Sequence, residues 1–447
     1  MVVYTDRSRI ETDQQCHRLR AYAYEWEGRG LNLDGIGDTM GRDIGSCVHA
    51  GIASLLTAMQ RGQPLTSDDL SEAEFCAMNT PEWSRFPDDQ LDDACDMIRA
   101  LLYTWWAVVR PQLASGWVVE DCEREEVVDF AVSTGACKHG QIPEGWACGP
   151  CAIDPTGLRP ATVRFMSRLD LLASANGGLV LNGKPVPPGR WIWDWKCIKS
   201  GGDRWRIQQD YEMQWVSSLL GPEARLGQQL TGVIVCALLK ENHPLVTCWR
   251  NRETGETTNR FRYTCADPHP FRYAKGGMCM GGVSHTLSKK EWEPIAVRDL
   301  PGGQAAYFEH LMATEPGLLA EWVDFAGPMR RTSTEVLERW KRQSWHREIQ
   351  IARATAAANG APFTEDVLDT VFPMRTANGN CTQFSRINAD GQMSNGCPAI
   401  KFCWGGAVPE QFEFRTPNHP LEEESFPATA ASDTLNPTAG DFDVEKN

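Results

Sequence analysis

The sequence predicts an α/β fold whose core runs in the order helix, three strands, helix, strand. Residues 43–60 carry apolar side chains at three- and four-residue steps, which is typical of an amphipathic helix. The run GVIVCALLK is a buried strand, and WIWDWKC alternates as a strand does. In chain order the elements are a helix over 43–60, strands over 117–132, 162–173 and 190–197, a helix over 206–220 and a strand over 232–240.

Further helices are predicted outside this core. Residues 8–26 begin with Ser8 as a candidate N-cap and Glu11 at the capping-box position. Residues 88–110 form another helix, which we expect to end before Pro111. Two more are expected over 304–325 and 333–358.

The chain of 447 residues is long enough for a large core and additional regions. We predict a core domain over 1–240, interrupted by a Gly- and Cys-rich insertion over 133–160. An accessory, mostly helical region with metal-binding cysteines follows over 241–408, and an acidic disordered tail over 409–447. No run of about 18 apolar residues predicts a membrane span, and the charged N-terminus does not resemble a secretion signal.

The charge distribution neither recommends nor excludes a nucleic-acid ligand. The formal net charge is −15 at pH 7. Nine acidic and two basic residues lie in the tail over 409–447, which therefore supplies −7 of that charge. The remaining chain is less acidic than the total implies, so DNA is not excluded as a partner.

The heptapeptide WIWDWKC, residues 191–197, combines apolar and charged side chains in one strand. Successive side chains of a strand point to opposite faces, so the three tryptophans share one face, while Ile192, Asp194 and Lys196 share the other. A carboxylate beside an ammonium suits metal-assisted phosphodiester hydrolysis, with the metal held through oxygen and the ammonium orienting water. The alternative is a structural ion pair on a half-exposed strand.

Other residues along the chain are candidates for the same site. Asp170 lies in the apolar run FMSRLDLLA, where an unpaired carboxylate is costly. His49 ends GSCVH in the 43–60 helix, although a hydrogen-bonded core histidine is the alternative. Tyr211 and Trp215 follow the charged strand, and ordinary helix packing is the alternative to substrate binding.

These motifs resemble the PD-(D/E)XK nuclease superfamily in its RecB-like branch, which includes CRISPR-associated and phage recombination exonucleases. The four motifs of that branch correspond here to Gly45–His49, Ser167–Asp170, Asp194–Lys196 and Tyr211–Trp215. Ser167 replaces a glycine, and Tyr211 replaces a glutamine unless Gln208 serves instead. For the acidic residue before the second motif, the candidates are Glu120, Glu123 and Glu125.

The resemblance implies a restriction-endonuclease-like αβββαβ core with a helical C-terminal region. It implies a Mg²⁺- or Mn²⁺-dependent deoxyribonuclease, with exonuclease action expected, in DNA recombination, repair or phage DNA metabolism. The implied catalytic residues are His49, Asp170, Asp194 and Lys196, the first three binding the metal, and Tyr211 and Trp215 bind substrate. The expected partners are DNA and recombination or replication proteins, in the cytoplasm of a bacterium or a phage-infected cell.

The cysteines predict further metal sites. Without a secretion signal, sixteen cysteines favour metal ligands or buried thiols over disulfides. The family resemblance implies a [4Fe–4S] cluster, and its ligands here would be Cys16, Cys381, Cys397 and Cys403. A four-cysteine zinc site and unrelated buried cysteines are the alternatives.

A second set lies in the insertion. Cys137 and His139 precede the pair Cys148 and Cys151 in a loop rich in glycine and proline, a pattern typical of structural zinc. Two alternatives to the nuclease stay open: a non-catalytic, metal-stapled DNA-binding or assembly protein with the same fold, and a structural protein whose cysteines bind zinc.

Overall fold

The computed structural model describes most of the chain in long stretches. The described residues are 2–31, 33, 40–62, 64–137, 158–181, 183–210, 214–255, 257–259, 262–264, 269–270, 278–279, 284–286, 291–373, 386–387, 393–394 and 415. All of the acidic tail except Arg415 lies outside them, and so do residues 138–157 of the Cys-rich insertion. No helix within the described stretches is long and apolar enough to span a membrane.

The chain forms two compact units. Unit 1 comprises Met1–Thr39, Glu126–Ser167 and Thr332–Asn447, and unit 2 comprises Met40–Glu125 and Arg168–Arg331. The predicted domains over 1–240, 241–408 and 409–447 stay predictions.

The helices and strands are as follows. The α-helices are α1 (Arg7–Gln15), α2 (His17–Arg20), α3 (Met40–Gln60), α4 (Ser67–Ala77), α5 (Leu91–Thr104), α6 (Arg110–Ala114), α7 (Asp203–Asp210), α8 (Gln214–Leu226), α9 (Gly303–Thr314), α10 (Thr334–Ala358) and α11 (Glu365–Thr370). The longer strands and their neighbours are β1 (Val2–Asp6), β2 (Trp117–Cys137), β3 (Leu158–Ala175), β4 (Leu179–Leu181), β5 (Lys184–Val186), β6 (Gly189–Ile198), β7 (Gly232–Leu239), β8 (Thr247–Asn251) and β9 (Thr257–Thr258). The remaining strands are β10 (Arg262–Thr264), β11 (His269–Pro270), β12 (Met278–Cys279), β13 (Ser284–Thr286), β14 (Trp292–Ala296), β15 (Val323–Arg330), β16 (Arg386–Ile387) and β17 (Met393–Ser394).

A mixed sheet forms the centre of unit 2, which confirms the predicted α/β class. Its strand order is β3-β6-β7-β15, and β2 also pairs with β3. Strand β6 is antiparallel to β3 and parallel to β7, with Asp194 opposite Val235. Because parallel strands need a crossover, α7 and α8 connect β6 to β7.

The tryptophans of β6 lie in the core of unit 2, as period-two alternation predicts. Trp191, Trp193 and Trp195 are at most 1% exposed. The Trp195 ring meets that of Trp105 edge-on, with centroids 6.0 Å apart. Ile192, on the opposite face, belongs to a separate apolar cluster with Trp215. The strand is therefore packed on both faces.

The N-terminal helix is shorter than predicted. Asp6, rather than Ser8, is the N-cap of α1, because its carboxylate accepts a hydrogen bond from the Arg9 amide at 2.9 Å. The helix ends at Cys16, whose backbone is extended, and helical structure resumes at His17. A continuous helix over 8–26 was thus wrong.

The helix predicted to end before Pro111 continues past it. Helix α5 passes through a π-helical segment, Trp105–Val109, directly into α6. Pro111 is the second residue of α6, which directly follows the π-helical segment. The helical stretch accommodates this proline, so the expected end before Pro111 was wrong.

The helix predicted over 304–325 is correct only in its first part. Helix α9 ends at Thr314, a 3₁₀ helix covers Leu318–Trp322, and β15 begins at Val323. Strand β15 is antiparallel to β7 and buries Phe325 and Ala326. Residues 323–330 form a strand because they pair with the buried strand β7. The sequence of this segment alone does not reveal that partner. The described parts of the helix predicted over 206–220 are helical, as residues 206–210 lie in α7 and residues 214–220 lie in α8, while residues 211–213 lie outside the described residues.

Unit 1 contains a parallel pair of strands that sequence patterning missed. Strand β1 runs beside the first half of β3, from Val2 opposite Thr162 to Asp6 opposite Met166. Helix α10 adds Trp345, which stacks on Phe130 with ring centroids 5.2 Å apart. Ala21, Ile351 and Phe372 form part of a second buried apolar cluster in this unit.

Candidate metal centre

A cluster of potential metal ligands lies in unit 2. One ligand atom from each of His49, Glu123 and Asp170 lies within 4.8 Å of the other two. His49 Nδ1 is 3.6 Å from an Asp170 carboxylate oxygen, which is ion-pair distance. Three different elements supply these groups, so the cluster is a product of the tertiary fold.

Each ligand is positioned by its own element. Helix α3 buries Val48 and Ile52 completely and leaves the His49 side chain 28% exposed. The Asp170 carboxylate is positioned by β6, because the Trp195 backbone amide donates to it at 2.8 Å. Asp170 keeps lone pairs for a further partner, since a carboxylate accepts about four hydrogen bonds or metal contacts.

Glu123 adopts an uncommon backbone conformation within β2. Its φ is +47°, in the left-handed region that non-glycine residues rarely adopt. Residues held in such conformations occur frequently at functional sites. Its carboxylate also lies 3.1 Å from the Arg168 guanidinium, whose side chain is 60% exposed.

Asp194 and Lys196 lie beside the cluster but pair with each other. The Lys196 ammonium is 2.9 Å from the Asp194 carboxylate. The same ammonium lies over the Trp215 ring, 5.5 Å from its centroid, in a cation–π contact. Trp215 is buried, and its indole N–H donates to the Gln209 carbonyl at 3.0 Å. Predicted as a substrate contact, Trp215 here supports Lys196 and the apolar core.

Negative charge is in excess around the cluster. Burial, then the Asp170 carboxylate, raises the pKa of Glu123 to about 8, with Asp194 adding to the rise and Arg168 opposing it. Burial also raises the pKa of Asp170; His49 opposes this rise, and Asp194 adds to it. Burial and the neighbouring carboxylates thus disfavour the ionised forms of Glu123 and Asp170. A bound cation would stabilise these ionised forms.

Among the three acidic candidates of β2, the structure brings Glu123 into the cluster. Glu120 instead pairs with the Arg190 guanidinium at 2.8 Å and accepts a hydrogen bond from Ser174. Trp117 and Val119 pack on the main core, and so does Cys122, which has the opposite parity. The alternation of core-facing and outward-facing side chains is therefore broken between Val119 and Cys122. A strict period of two places Glu123 on the core face with Trp117 and Val119, so it could not have selected Glu123 as a site residue.

The other predicted site residues are only partly described. Tyr211 and the cysteine ligands Cys381, Cys397 and Cys403 lie outside the described residues, as do His139, Cys148 and Cys151. Cys137 ends β2, and its side chain is not among those described. Cys16 carries a half-buried free thiol at the break between α1 and α2. The iron–sulfur and zinc sites thus stay predictions.

Comparison with known proteins gives little similarity. No family model matches the chain. The chain is 28% identical over 138 residues to an N-acetyl-gamma-glutamyl-phosphate reductase from Shouchella clausii (strain KSM-K16), which is 28% of this chain and 33% of that relative. The chain thus spans about a third of the length of the curated relative it matches.

This similarity contradicts the predicted function. The relative is a reductase, whereas the sequence motifs predicted a Mg²⁺- or Mn²⁺-dependent deoxyribonuclease. On this comparison the deoxyribonuclease prediction was wrong, and neither it nor the non-catalytic DNA-binding alternative is retained. Short motifs are prone to false matches, and the Asp-x-Lys pattern is among the shortest. The comparison does not bear on the metal ligands or the family resemblance.

Proposed function

We propose that this protein binds a divalent cation, Mg²⁺ or Mn²⁺, through His49, Glu123 and Asp170. The observation that supports this is the approach of their ligand atoms to within 4.8 Å of one another. Carboxylate oxygens suit both ions, and a single imidazole favours Mn²⁺ over Mg²⁺. The proposed restriction-endonuclease-like core would carry its metal ligands on one helix and on strands; here the three ligands lie on α3, β2 and β3.

The charges around the cluster favour a bound cation over the same cluster without one. Glu123 and Asp170 each repel the other's negative charge, and Arg168 is the guanidinium in ion-pair contact with Glu123. A divalent ion would offset both carboxylates at once. Asp194 lies close enough to raise the pKa of Asp170 and is thus a candidate for ordering the ion or its water.

Lys196 indicates the class of ligand that the ion would receive. Its ammonium is held between the Asp194 carboxylate and the Trp215 ring, next to the cluster. A divalent ion and an ammonium together favour an oxyanion such as a phosphate group. When bound, the ion would supply positive charge to that group, while Lys196 would orient it.

Titration of metal-free protein with Mn²⁺ tests the cation site. The full chain is treated with EDTA, exchanged into buffer and titrated calorimetrically, with free Mn²⁺ followed by electron paramagnetic resonance. We expect one ion per chain, and we expect Asp170→Asn and Glu123→Gln each to weaken binding at least about tenfold.

Matched exposed residues provide the controls. Asp203 is 91% exposed and Glu338 is 52% exposed, so Asp203→Asn and Glu338→Gln remove the same charge elsewhere. Both controls should bind Mn²⁺ like the unaltered protein. Equal Mn²⁺ affinity in Asp170→Asn, Glu123→Gln and the controls would show that the cluster holds no metal.

A second candidate function follows from the similarity to the reductase. The candidate is reduction of a phosphorylated acyl compound, on the basis of a match that is 28% identical over 138 residues. It is tested by supplying N-acetyl-gamma-glutamyl phosphate with a reduced nicotinamide dinucleotide and following the absorbance of the nicotinamide. Turnover that disappears in Asp170→Asn would connect the two proposals, whereas turnover unchanged by this variant would separate them.

A further inference from the structure

A cavity of about 470 Å³ lies in unit 2, with a lining that includes none of the proposed metal ligands. Lys240, which follows β7, Trp249 of β8 and Trp322 of the 3₁₀ helix Leu318–Trp322 all line it. This volume lies within the range of pockets that hold small molecules. The cavity is therefore large enough for a ligand of its own.

Trp322 and Trp249 give the cavity aromatic walls. The Trp322 indole N–H donates to the Glu241 carbonyl at 3.2 Å, and its ring lies 5.8 Å from that of His243. Trp249 is in the middle strand of a three-stranded sheet, opposite Pro294 on one side and Thr258 on the other. The Trp322 indole is thus held by its own contacts, and Trp249 is held through its backbone; an aromatic ring in such a wall can stack on a flat ring of a ligand.

Lys240 is the lysine among the residues that line the cavity. Its ammonium donates to the Gly41 carbonyl at 3.0 Å, which uses one of its three hydrogens. Across the stretches that the structure describes, no carboxylate lies within ion-pair distance of this ammonium. Lys240 can therefore bind an anionic group of a ligand without first giving up an ion pair.

His243 forms part of the wall, and both of its ring nitrogens make hydrogen bonds within the protein. The Thr104 hydroxyl donates its hydrogen to the Ala100 carbonyl at 2.8 Å. Its oxygen lies 3.0 Å from His243 Nε2 and therefore accepts the hydrogen of that nitrogen. His243 Nδ1 accepts the Leu245 amide at 3.2 Å. Both ring nitrogens are satisfied in the neutral state, so the cavity is equipped for binding rather than for acid–base chemistry.

We propose that this cavity binds a mononucleotide, a ligand that combines a flat heteroaromatic ring with a phosphate. The ring stacks on the indole of Trp249 or Trp322, and the phosphate pairs with Lys240. Polar groups for the ribose and the ring edge are also present. Glu321 supplies an exposed carboxylate, and Asn259 supplies an amide nitrogen, because its carbonyl oxygen already accepts the Tyr307 hydroxyl.

The test uses the full chain in EDTA, so that the proposed cation plays no part. AMP, GMP, CMP and UMP are titrated calorimetrically, each beside its nucleoside, and ribose 5-phosphate is titrated alone. We expect saturable 1:1 binding of at least one mononucleotide, with its nucleoside and ribose 5-phosphate each about tenfold weaker or more.

Variants then assign the binding to this cavity. Lys240→Met and Trp249→Leu should each weaken the mononucleotide about tenfold, whereas Trp249→Phe, which keeps a ring, should retain most of the affinity. Lys184→Met, at an exposed lysine of β5, should bind like the unaltered protein. Thermal melting confirms that each variant is folded.

Two results would overturn the proposal. One is the absence of saturable binding by all four mononucleotides up to about 1 mM, where the binding free energy is only about −4 kcal/mol. The other is binding that folded Lys240→Met and Trp249→Leu leave unchanged. Neither result bears on the Mn²⁺ site, since the titration contains EDTA.

Discussion

Asp13 of unit 1 and Glu123 of unit 2 are both largely buried carboxylates beside an arginine, but their environments act in opposite directions. Although burial raises the pKa of Asp13, hydrogen bonds from His17 and Arg347 outweigh it and lower this pKa to about 2. Burial and the Asp170 and Asp194 carboxylates raise the pKa of Glu123 to about 8, against the opposing effect of Arg168. Cationic partners stabilise the ionised form of Asp13, whereas burial and nearby carboxylates destabilise the ionised form of Glu123 despite its ion pair with Arg168.

The wider surroundings of the two carboxylates differ in the charges that they contain. In unit 1, the Arg20 guanidinium is fully buried and bonds to both Glu348 oxygens, at 3.2 and 2.9 Å, and to Glu25 at 2.9 Å. In unit 2, Glu123 and Asp170 share their surroundings with a third carboxylate, Asp194. A balanced network indicates a structural role, whereas an acidic excess indicates a place for a cation.

The largest expected effect is on the balanced network. Arg20→Met leaves Glu25 and Glu348 buried without their main partner, so the free energy of unfolding should fall by about 3–5 kcal/mol. Urea denaturation followed by circular dichroism measures this change. Arg7→Met removes the same charge where the side chain is 30% exposed, and its effect should stay within about 0.5 kcal/mol. Comparable losses in both variants would mean that the network is not special.

Metal should stabilise the unbalanced cluster. At a Mn²⁺ concentration of about 100 times the dissociation constant, the free energy of unfolding should rise by about 2.7 kcal/mol. EDTA should reverse the gain, and Asp170→Asn should abolish it. Differential scanning calorimetry at several Mn²⁺ concentrations measures the effect. An equal rise in Asp170→Asn would locate the stabilising ion elsewhere.

Acid should weaken unit 1 through Asp13. A carboxyl whose folded pKa is depressed contributes stability above its unfolded pKa and loses it as the pH falls through the folded value. For Asp13 the window runs from the ordinary value of 3.8 down to about 2, and the loss amounts to about 2 kcal/mol. Urea denaturation between pH 5 and pH 2 measures it, and Asp13→Asn should flatten this part of the profile. An unchanged profile in that variant would assign the acid sensitivity to other carboxyls.

The smallest expected effect has the opposite sign. Glu123→Gln removes a carboxylate that burial and the neighbouring carboxylates destabilise, so in EDTA the protein should gain about 1 kcal/mol of stability at pH 8. A raised folded pKa costs nothing below the ordinary value of 4.5, so the gain should vanish there and grow as the pH rises towards about 8. Urea denaturation at pH 4 and pH 8 tests this, with Glu338→Gln as the control. Destabilisation at pH 8 would mean that the ion pair with Arg168 outweighs the repulsion.

The candidate site was partly predictable because some of its residues carry local signals. The alternation of WIWDWKC sorted Asp194 and Lys196 from the tryptophans, and the structure places them together with their charged groups 2.9 Å apart. His49 and Asp170 were also expected and lie at ion-pair distance. Glu123 was one of three acidic candidates, with Glu120 and Glu125. The sequence could not single it out, because the alternation of faces changes within β2. Pairing partners for β1 and β15 were likewise missing, because their partners lie far along the chain.

The sequence by itself determined the α/β class, the long helices over 43–60 and 333–358, and the two faces of β6. These features follow from side-chain periodicity, which is a local property of the chain. Only the tertiary structure decided that Glu123 joins His49 and Asp170, that residues 323–330 form a strand, and that Lys240 shares a cavity with two tryptophans. Those outcomes depend on contacts between distant segments, and no periodicity within one segment encodes them.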